Sequence, residues 1–217
     1  MIEKVTVVVP AYNEGKRIAT VLKVLIRARK KELIENIIVV DDGSLDNTAK
    51  VASEFPVELI SFPENKGKGA ALAAGIRTAK TDIILFMDAD LVGLKDMHIE
   101  RLTKAIVGNP KLGMTIGVFR SSGFAANFGN MLLALSGQRA VRKSWAGDIP
   151  GLETARYGAD TLITLYAKKQ GIKTVRVYLD HLKHVYKEQK DNFFIGFFKY
   201  RMKMYLEIAR VLLASVR

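Results

Sequence analysis

Residues 5–14 of the chain read VTVVVPAYNE, a run of β-branched side chains that ends in a proline, an aromatic residue and an acid. A continuous apolar run of this kind predicts a strand that is buried on both faces of a sheet. A helical pattern follows it, because Ile18, Leu22 and Leu25 have the spacing of one apolar helix face. The beginning of the chain therefore predicts a strand and its crossover helix.

The same alternation of apolar runs and helical patterns continues along the chain, and it is typical of parallel strands with crossover helices. The predicted strands are 5–9, 37–40, 57–60, 83–87, 112–118 and 174–178. The predicted helices after the first are 48–55, 70–78, 95–107, 159–169 and 192–216. We expect an α/β fold with a Rossmann-like, mostly parallel central sheet, helices on its faces and a long C-terminal helix.

The composition is that of one globular domain over residues 1–217, with 49% hydrophobic and 26% charged residues. The net charge of +12 indicates anionic partners such as phosphates, nucleic acid or an acidic membrane surface, although a solvated basic surface is an alternative. The absence of cysteine excludes disulfides and Cys-ligated metals. With no signal-like start and no sufficiently apolar segment for a bilayer span, we expect a cytoplasmic location.

Acidic side chains follow three of the predicted strands, at Glu14, at Asp41 and Asp42, and at Asp88 and Asp90. In open α/β sheets ligands bind at the carboxyl ends of the strands, so these acids are expected to line one crevice.

Asp88 and Asp90 are two residues apart, which in extended backbone places both carboxylates on one face, about 7 Å apart. Such oxygens suit a magnesium or manganese ion that also takes diphosphate oxygens. A solvated turn with a helix cap is the alternative, but the position directly after a buried strand favours the metal site.

Asp42 is expected to accept hydrogen bonds from a nucleobase or ribose, and Tyr12 to stack on the base; a turn with a helix cap is the alternative. Residues 64–69, ENKGKG, match a phosphate loop only loosely. Their glycines would leave amides for an anion at a helix start, and Lys68 would reach a phosphate. A plain turn explains the segment equally well.

Taken in order, the strand-end segments 7–14, 39–44, 65–69 and 87–90 resemble the family 2 glycosyltransferases of GT-A fold. The chain is most similar to dolichyl- or polyprenyl-phosphate sugar synthases and, in places, to glucosyl-3-phosphoglycerate synthases. The resemblance implies a UDP- or GDP-linked sugar donor and inversion at the anomeric carbon. It divides the chain into a nucleotide-sugar half, 1–91, an acceptor-side half, 119–190, and the helix 192–216.

The resemblance also implies individual roles on the donor side. The nucleotide-sugar would be held by Pro10, Tyr12, Glu14, Asp42, Lys68, Asp88 and Ala89. The metal would be held by Asp88, Asp90 and His184. Lipid-linked synthases often have a further metal ligand, glutamine, where this chain has Val92. His184 is expected to replace it, unless it is an ordinary surface or capping histidine.

On the acceptor side, residues 136–139, SGQR, are similar to a Ser-Gly-x-Arg element of the relatives. Asp160 is expected to face the acceptor, as a base or as an orienting group; a carboxylate that stabilises a helix N-terminus is the alternative. The residues expected to bind the acceptor phosphate are Arg120, Arg139, Arg142 and Lys190.

Three functions fit this pattern to different degrees. The first is a metal-dependent sugar transferase that acts on polyprenyl phosphate at the cytoplasmic membrane face. The second keeps the donor but takes a soluble phosphorylated acceptor such as 3-phosphoglycerate. The third, a nucleic-acid-binding protein, is supported by charge alone, and the acidic crevice opposes it. The aromatic and basic segment 192–216 would lie on an anionic membrane, pack on the domain or form a homodimer.

Overall fold

The structure is a computed structural model that describes residues 3–32, 34–119 and 136–184. The strands are β1 Val5–Ala11, β2 Ile34–Asp41, β3 Glu58–Ser61, β4 Ile83–Phe86, β5 Leu91–Val92, β6 Met114–Phe119, β7 Arg139–Arg142, β8 Thr174–Leu179 and β9 Lys183–His184. The helices are α1 Ile18–Arg29, α2 Thr48–Ser53, α3 Lys68–Thr78, α4 Asp96–Lys104, α5 Lys143–Ala146 and α6 Ala159–Lys169, with a 3₁₀ turn at Leu152–Thr154.

Seven strands form the central sheet in the order β3-β2-β1-β4-β7-β6-β8. The pairs β1 with β2, β1 with β4, β2 with β3 and β6 with β8 are parallel, whereas β7 is antiparallel to both of its neighbours. β5 and β9 form a separate two-stranded ribbon. The predicted mostly parallel sheet with flanking helices is therefore confirmed, while the helix predicted over 192–216 lies outside the described residues.

The apolar runs bury both faces of the central strands, as their continuous character predicts. On β1, Val7 and Val9 belong to the core that also contains residues of α1, α2 and α4, and Val8 belongs to the core of the opposite face, with residues of α3, α5 and α6. Helix α3 lies very close to the sheet, because a Cβ on Gly75 would collide with the side chain of Val8. Within the described ranges, no helix combines the length and the apolar character that crossing a bilayer requires.

Strand β7 is not among the strands that the sequence pattern predicts. It contains only two apolar residues, Ala140 and Val141, both fully buried between two arginines. The arginines are tolerated in the sheet because acidic residues and carbonyl groups from distant segments satisfy them. A short strand with charged ends has no periodicity that would indicate it.

His98 is fully buried on α4 and connects this helix to the turn before β9. Its Nδ1 accepts a hydrogen bond from the Lys95 amide at 3.1 Å, so its Nε2 donates to the carbonyl of Asp180 at 2.9 Å. Burial lowers the pKa of His98, since it disfavours the charged imidazolium. The folded protein therefore contains the neutral form.

We expect His98 to make the protein less stable in acid. Its stabilising effect is complete above the unfolded-state pKa of about 6.5 and declines as the pH falls below it, because only the unfolded state then binds the proton readily. Urea unfolding at pH 7, 6 and 5 should show a smaller loss of stability for His98→Gln than for the wild type. The exposed His181, changed to glutamine, is the control; equal pH slopes for all three proteins would contradict the prediction.

Candidate active site

The carboxyl ends of β1, β2 and β4 lie side by side, because these strands are parallel neighbours. The amide of Asp42 donates to the Ala11 carbonyl at 2.8 Å, and the amide of Met87 donates to the Val8 carbonyl at 3.1 Å. The residues that follow the three strands therefore share one edge of the sheet. Tyr12 and Pro10 are half-buried at this edge.

The loop after β1 is fixed to the loop after β2 by hydrogen bonds. Asn13 has a left-handed backbone with φ 56, its amide donates to Ser44 Oγ at 2.9 Å, and its Oδ1 accepts from the Leu45 amide at 2.8 Å. The Glu14 amide donates to Thr48 Oγ1 at 2.8 Å. The Glu14 carboxylate is buried and lies 3.5 Å from the Arg17 guanidinium.

Asp42 uses its carboxylate to hold the loop that precedes α3. Its Oδ1 accepts from the Lys66 amide at 2.8 Å, and its Oδ2 accepts from the Gly67 amide and the Asn65 side chain, both at 2.9 Å. Burial raises the pKa of Asp42, although these hydrogen bonds act in the opposite direction. The amides of Lys66 and Gly67, just before α3, are therefore already occupied by a carboxylate of the chain.

Lys68, the first residue of α3, bridges two of the predicted acids. Its Nζ lies 2.8 Å from Asp88 Oδ1 and 2.7 Å from Asp160 Oδ2, and its side chain is 26% exposed. Burial by itself would lower the pKa of Lys68, but the charges of Asp160 and Asp88 outweigh it and raise the pKa. The ammonium form is thus strongly favoured between the two carboxylates.

The predicted segment 136–139 covers this ion-pair cluster. Gln138 is fully buried and donates from Nε2 to Asp88 Oδ2 at 2.7 Å, while its Oε1 accepts from Ser136 Oγ at 3.0 Å. The backbone of Gly137 lies so close that a Cβ there would be 2.6 Å from Lys68 Nζ. Gln138 was not predicted as a site residue, because nothing in the sequence indicates that it contacts Asp88.

Arg139 is fully buried and contacts both the backbone and the carboxylate of Asp160. Its Nη1 donates to the Asp160 carbonyl and to Thr164 Oγ1, both at 3.0 Å, and its Nη2 lies 3.7 Å from Asp160 Oδ1. Burial lowers the pKa of Arg139, and the charge of Asp160 counteracts this effect. The structure thus shows Arg139 as a buried support for Asp160, and its predicted contact with the acceptor phosphate stays a prediction.

Arg142 lies at the opposite end of β7 from Arg139, so the structure does not bring it together with Lys68 and Asp88. It pairs with Ile83 at the start of β4, and its guanidinium contacts Glu3 Oε1 at 2.8 Å and the Ile106 carbonyl at 3.1 Å. The two ends of a four-residue strand are about 10 Å apart, which the sequence could not show without the strand itself. The predicted Arg120 and Lys190 lie outside the described residues.

The predicted metal ligands come from neighbouring backbone segments. The backbone of His184 in β9 pairs with Leu91 in β5, directly after Asp90. Asp90 is half-buried, and the intervening Ala89 is buried. Among the described side chains, no group of three or more His, Cys, Asp or Glu residues could hold a metal ion. Asp88 and Asp90 carry carboxylate oxygens, the ligand type that magnesium and manganese prefer, and water and a diphosphate would have to supply the other ligands.

Arg156 is an exposed cation beside the loop before α3, and the sequence did not indicate it as a site residue. Its guanidinium donates to the Asn65 side chain, and it lies against Gly67, where a Cβ would be 2.8 Å from its Cγ. Its charge also acts to lower the pKa of Asp42. Arg156 and Asn65 are separated by 91 residues, so no local motif connects them.

Comparisons with known proteins agree with this arrangement. The family model for glycosyl transferase family 2 matches residues 6–155. The chain is 32% identical to an uncharacterized protein of Methanocaldococcus jannaschii, with 94% of this chain and 92% of that protein aligned. It is 36% identical to the human dolichyl-phosphate beta-glucosyltransferase, but only over 48% of this chain and 36% of that enzyme. The chain thus spans well under half of the length of the human enzyme.

Solved structures are similar over nearly the whole chain. Glucosyl-3-phosphoglycerate synthase from Mycobacterium tuberculosis, in complex with Mn²⁺, UDP and glucosyl-3-phosphoglycerate, has a TM-score of 0.76 at 20% identity and aligns with 98% of this chain over 80% of its own. Mannosyl-3-phosphoglycerate synthase from Rubrobacter xylanophilus has a TM-score of 0.80 at 18% identity, over 99% of this chain and 74% of its own. At these identities the likeness shows the fold alone.

The resemblance inferred from the strand-end residues is therefore confirmed by a family match that covers most of the chain and by structures of the same fold. The chain belongs to glycosyl transferase family 2, has the GT-A fold and is a nucleotide-sugar-dependent glycosyltransferase.

Proposed function

We propose that the protein is a metal-dependent, inverting transferase that moves a sugar from UDP- or GDP-sugar to a polyprenyl or dolichyl phosphate at the cytoplasmic membrane face. The observation that carries the proposal is the cluster of Asp88, Lys68 and Asp160 at the carboxyl edge of the sheet. The acceptor class is supported by relatives named as dolichyl-phosphate beta-glucosyltransferases.

The donor would bind at the carboxyl ends of β1, β2 and β4. Tyr12, with Pro10 beside it, would lie against the nucleoside, and Glu14 would line the buried end of the same loop. Asp42 would act at least in part by holding residues 65–67 in place, since its carboxylate already bonds to their amides. Lys68 would place its positive charge close to the diphosphate.

Asp88 and Asp90 would hold the divalent cation, with His184 as the proposed additional ligand. When bound, the cation would neutralise the negative charge that grows on the leaving nucleoside diphosphate. Gln138 would keep the Asp88 carboxylate in a fixed orientation through its 2.7 Å hydrogen bond.

Asp160 would orient the acceptor on the other side of the cluster. An inverting transfer requires the acceptor oxygen to lie opposite the leaving group. A phosphate monoester is already ionised, so its oxygen needs no general base. An orienting role suits a carboxylate that is paired with Lys68 at 2.7 Å and lies 3.7 Å from the Arg139 guanidinium. Arg120 and Lys190 are the proposed contacts to the acceptor phosphate.

A second candidate is transfer to a soluble phosphorylated acceptor such as 3-phosphoglycerate. It is favoured by the overall likeness to a glucosyl-3-phosphoglycerate synthase solved with Mn²⁺, UDP and phosphoglyceric acid. The donor chemistry would be the same for both acceptors.

Calorimetric titration of the protein with UDP and with GDP, each with and without manganese, tests the donor site. Metal-dependent binding of one nucleotide is expected and would identify the donor base. Binding of neither would refute the proposal, because the strand-end acids would then form no working donor site.

Two experiments distinguish the two acceptor classes. The first is flotation with liposomes that contain acidic lipids, and the second is a transfer assay with polyprenyl phosphate and with 3-phosphoglycerate. Co-flotation and transfer to the lipid are expected. Transfer to 3-phosphoglycerate alone would favour the soluble acceptor.

Asp90→Asn is expected to reduce turnover by at least about 100-fold, because a charged metal ligand is lost from the site where charge develops. The free energy of unfolding should change by less than about 1 kcal/mol, since Asp90 is a half-buried residue at the sheet edge. Asp82→Asn, an exposed acid just before β4, is the matched control. A fully active Asp90→Asn protein in manganese buffer would exclude Asp90 as a ligand.

A further inference from the structure

Lys68 occupies the position of a bridging cation between the donor side and the acceptor side of the site. Its ammonium is within 2.8 Å of Asp88, which follows β4, and within 2.7 Å of Asp160 at the start of α6. A single positive charge between two carboxylates performs the electrostatic task that a bound metal ion would otherwise perform there.

The surroundings of Asp88 leave little room for a second cation. One carboxylate oxygen faces Lys68 and the other accepts from Gln138 at 2.7 Å. The Gly137 backbone closes over them, because a Cβ at this position would be 2.8 Å from Asp88 Oδ1. The Asp88 and Asp160 side chains are only 16% and 14% exposed. A divalent ion on Asp88 would therefore lie next to the ammonium and be repelled by it.

We propose that Lys68 is the resident counter-cation of the nucleotide-free site and competes with the divalent metal for Asp88. This inference rests on the proposed metal site at Asp88 and Asp90. When the donor arrives, its diphosphate offers the ammonium a new anionic partner, so Lys68 moves off Asp88 and admits the metal. Lys68 thereby makes metal binding depend on the nucleotide.

Two consequences follow for binding. The nucleotide-free protein should take up manganese weakly, although two carboxylates lie at the sheet edge. Metal and nucleotide should also strengthen each other's binding through the protein, and by linkage this effect is equal in both directions. A site in which Lys68 contacted only the phosphate would show no such competition in the absence of nucleotide.

The test is titration of the nucleotide-free protein with manganese chloride, followed by the EPR signal of free Mn²⁺. Lys68→Met is expected to raise the affinity for manganese by at least about tenfold, since it removes the competing charge from the two carboxylates. Lys66→Met is the matched control. Its exposed ammonium lies 5.4 Å from the Phe62 ring centroid, so its loss should change the affinity less than about twofold.

Lys68→Gln, which keeps a hydrogen-bond donor without the charge, gives the same test if the methionine variant does not fold. Equal manganese affinity for wild type and the folded Lys68 variant would overturn the inference. If the wild type takes up manganese with UDP or GDP present, the proposed donor site survives that result. If no manganese binds to the wild type with either nucleotide, nor to the Lys68 variants, both proposals fail.

Discussion

Gly137→Ala is expected to weaken nucleotide binding and turnover by about 100-fold, because a displacement of about 1 Å at reacting groups has effects of this size. A Cβ at this position would lie 2.6 Å from Lys68 Nζ and 2.8 Å from Asp88 Oδ1. The atoms that must move are the ends of side chains, so the fold should survive with a loss of about 1 kcal/mol. The displaced groups, however, belong to the proposed donor site.

Gly147→Ala is the matched control for this substitution. Gly147 is exposed, has a helical φ of −69, and a Cβ there would meet only the Lys143 carbonyl at 3.5 Å. Calorimetry with the nucleotide that the wild type binds, together with thermal melting, compares the two variants. Full affinity in Gly137→Ala would show that the Lys68 and Asp88 pair is not part of the donor site.

Arg139→Met is expected to produce the largest loss of stability, about 3–5 kcal/mol, because it removes a buried cation and leaves its partners uncompensated. Arg139 is fully buried, donates to the Asp160 carbonyl at 3.0 Å and lies beside the Asp160 carboxylate. Arg139→Lys should restore only part of the stability, since an ammonium cannot reproduce the planar fork that reaches Thr164 through Nη1 and the Ser136 carbonyl through Nη2.

Arg101→Met provides the surface comparison for Arg139→Met. The Arg101 side chain is 41% exposed and pairs with Asp180 at 2.9 Å, so its loss should cost less than about 1 kcal/mol. Urea denaturation measures all three variants. If Arg139→Met is as stable as the wild type but no longer binds the acceptor, Arg139 is an acceptor contact and its structural role is contradicted.

Much of the fold could be predicted because its strands are continuous apolar runs that need no distant partner to be recognised. Helix α6 begins and ends at the residues that its pattern predicts, and β1 extends only two residues beyond its prediction. Strand β7 could not be predicted, since its charged ends are stabilised by groups far along the chain. The partner of Arg142, Glu3, is 139 residues away.

The part of the candidate site that could be predicted consists of the residues that directly follow the ends of strands. Asp88 and Asp160 meet through Lys68, a residue that the sequence indicated as a nucleotide-sugar contact. The contact of Gln138 with Asp88 joins residues 50 positions apart and has no local signal. The bonds from the Lys66 and Gly67 amides to Asp42 also have no local signal, because Asp42 is 24 and 25 residues away.

The antiparallel strand β7 has a consequence for the order in which the chain is synthesised. It lies between β4 and β6, with Phe86 paired to Arg139. Because β7 follows both of these strands in the sequence, the sheet becomes continuous only after β7 has been synthesised. A nascent chain that has left the ribosome only as far as β6 has nothing to cover the free edge of β4. Such an edge invites pairing with other chains. Chaperone dependence of this protein should therefore be greatest before Arg142 has emerged.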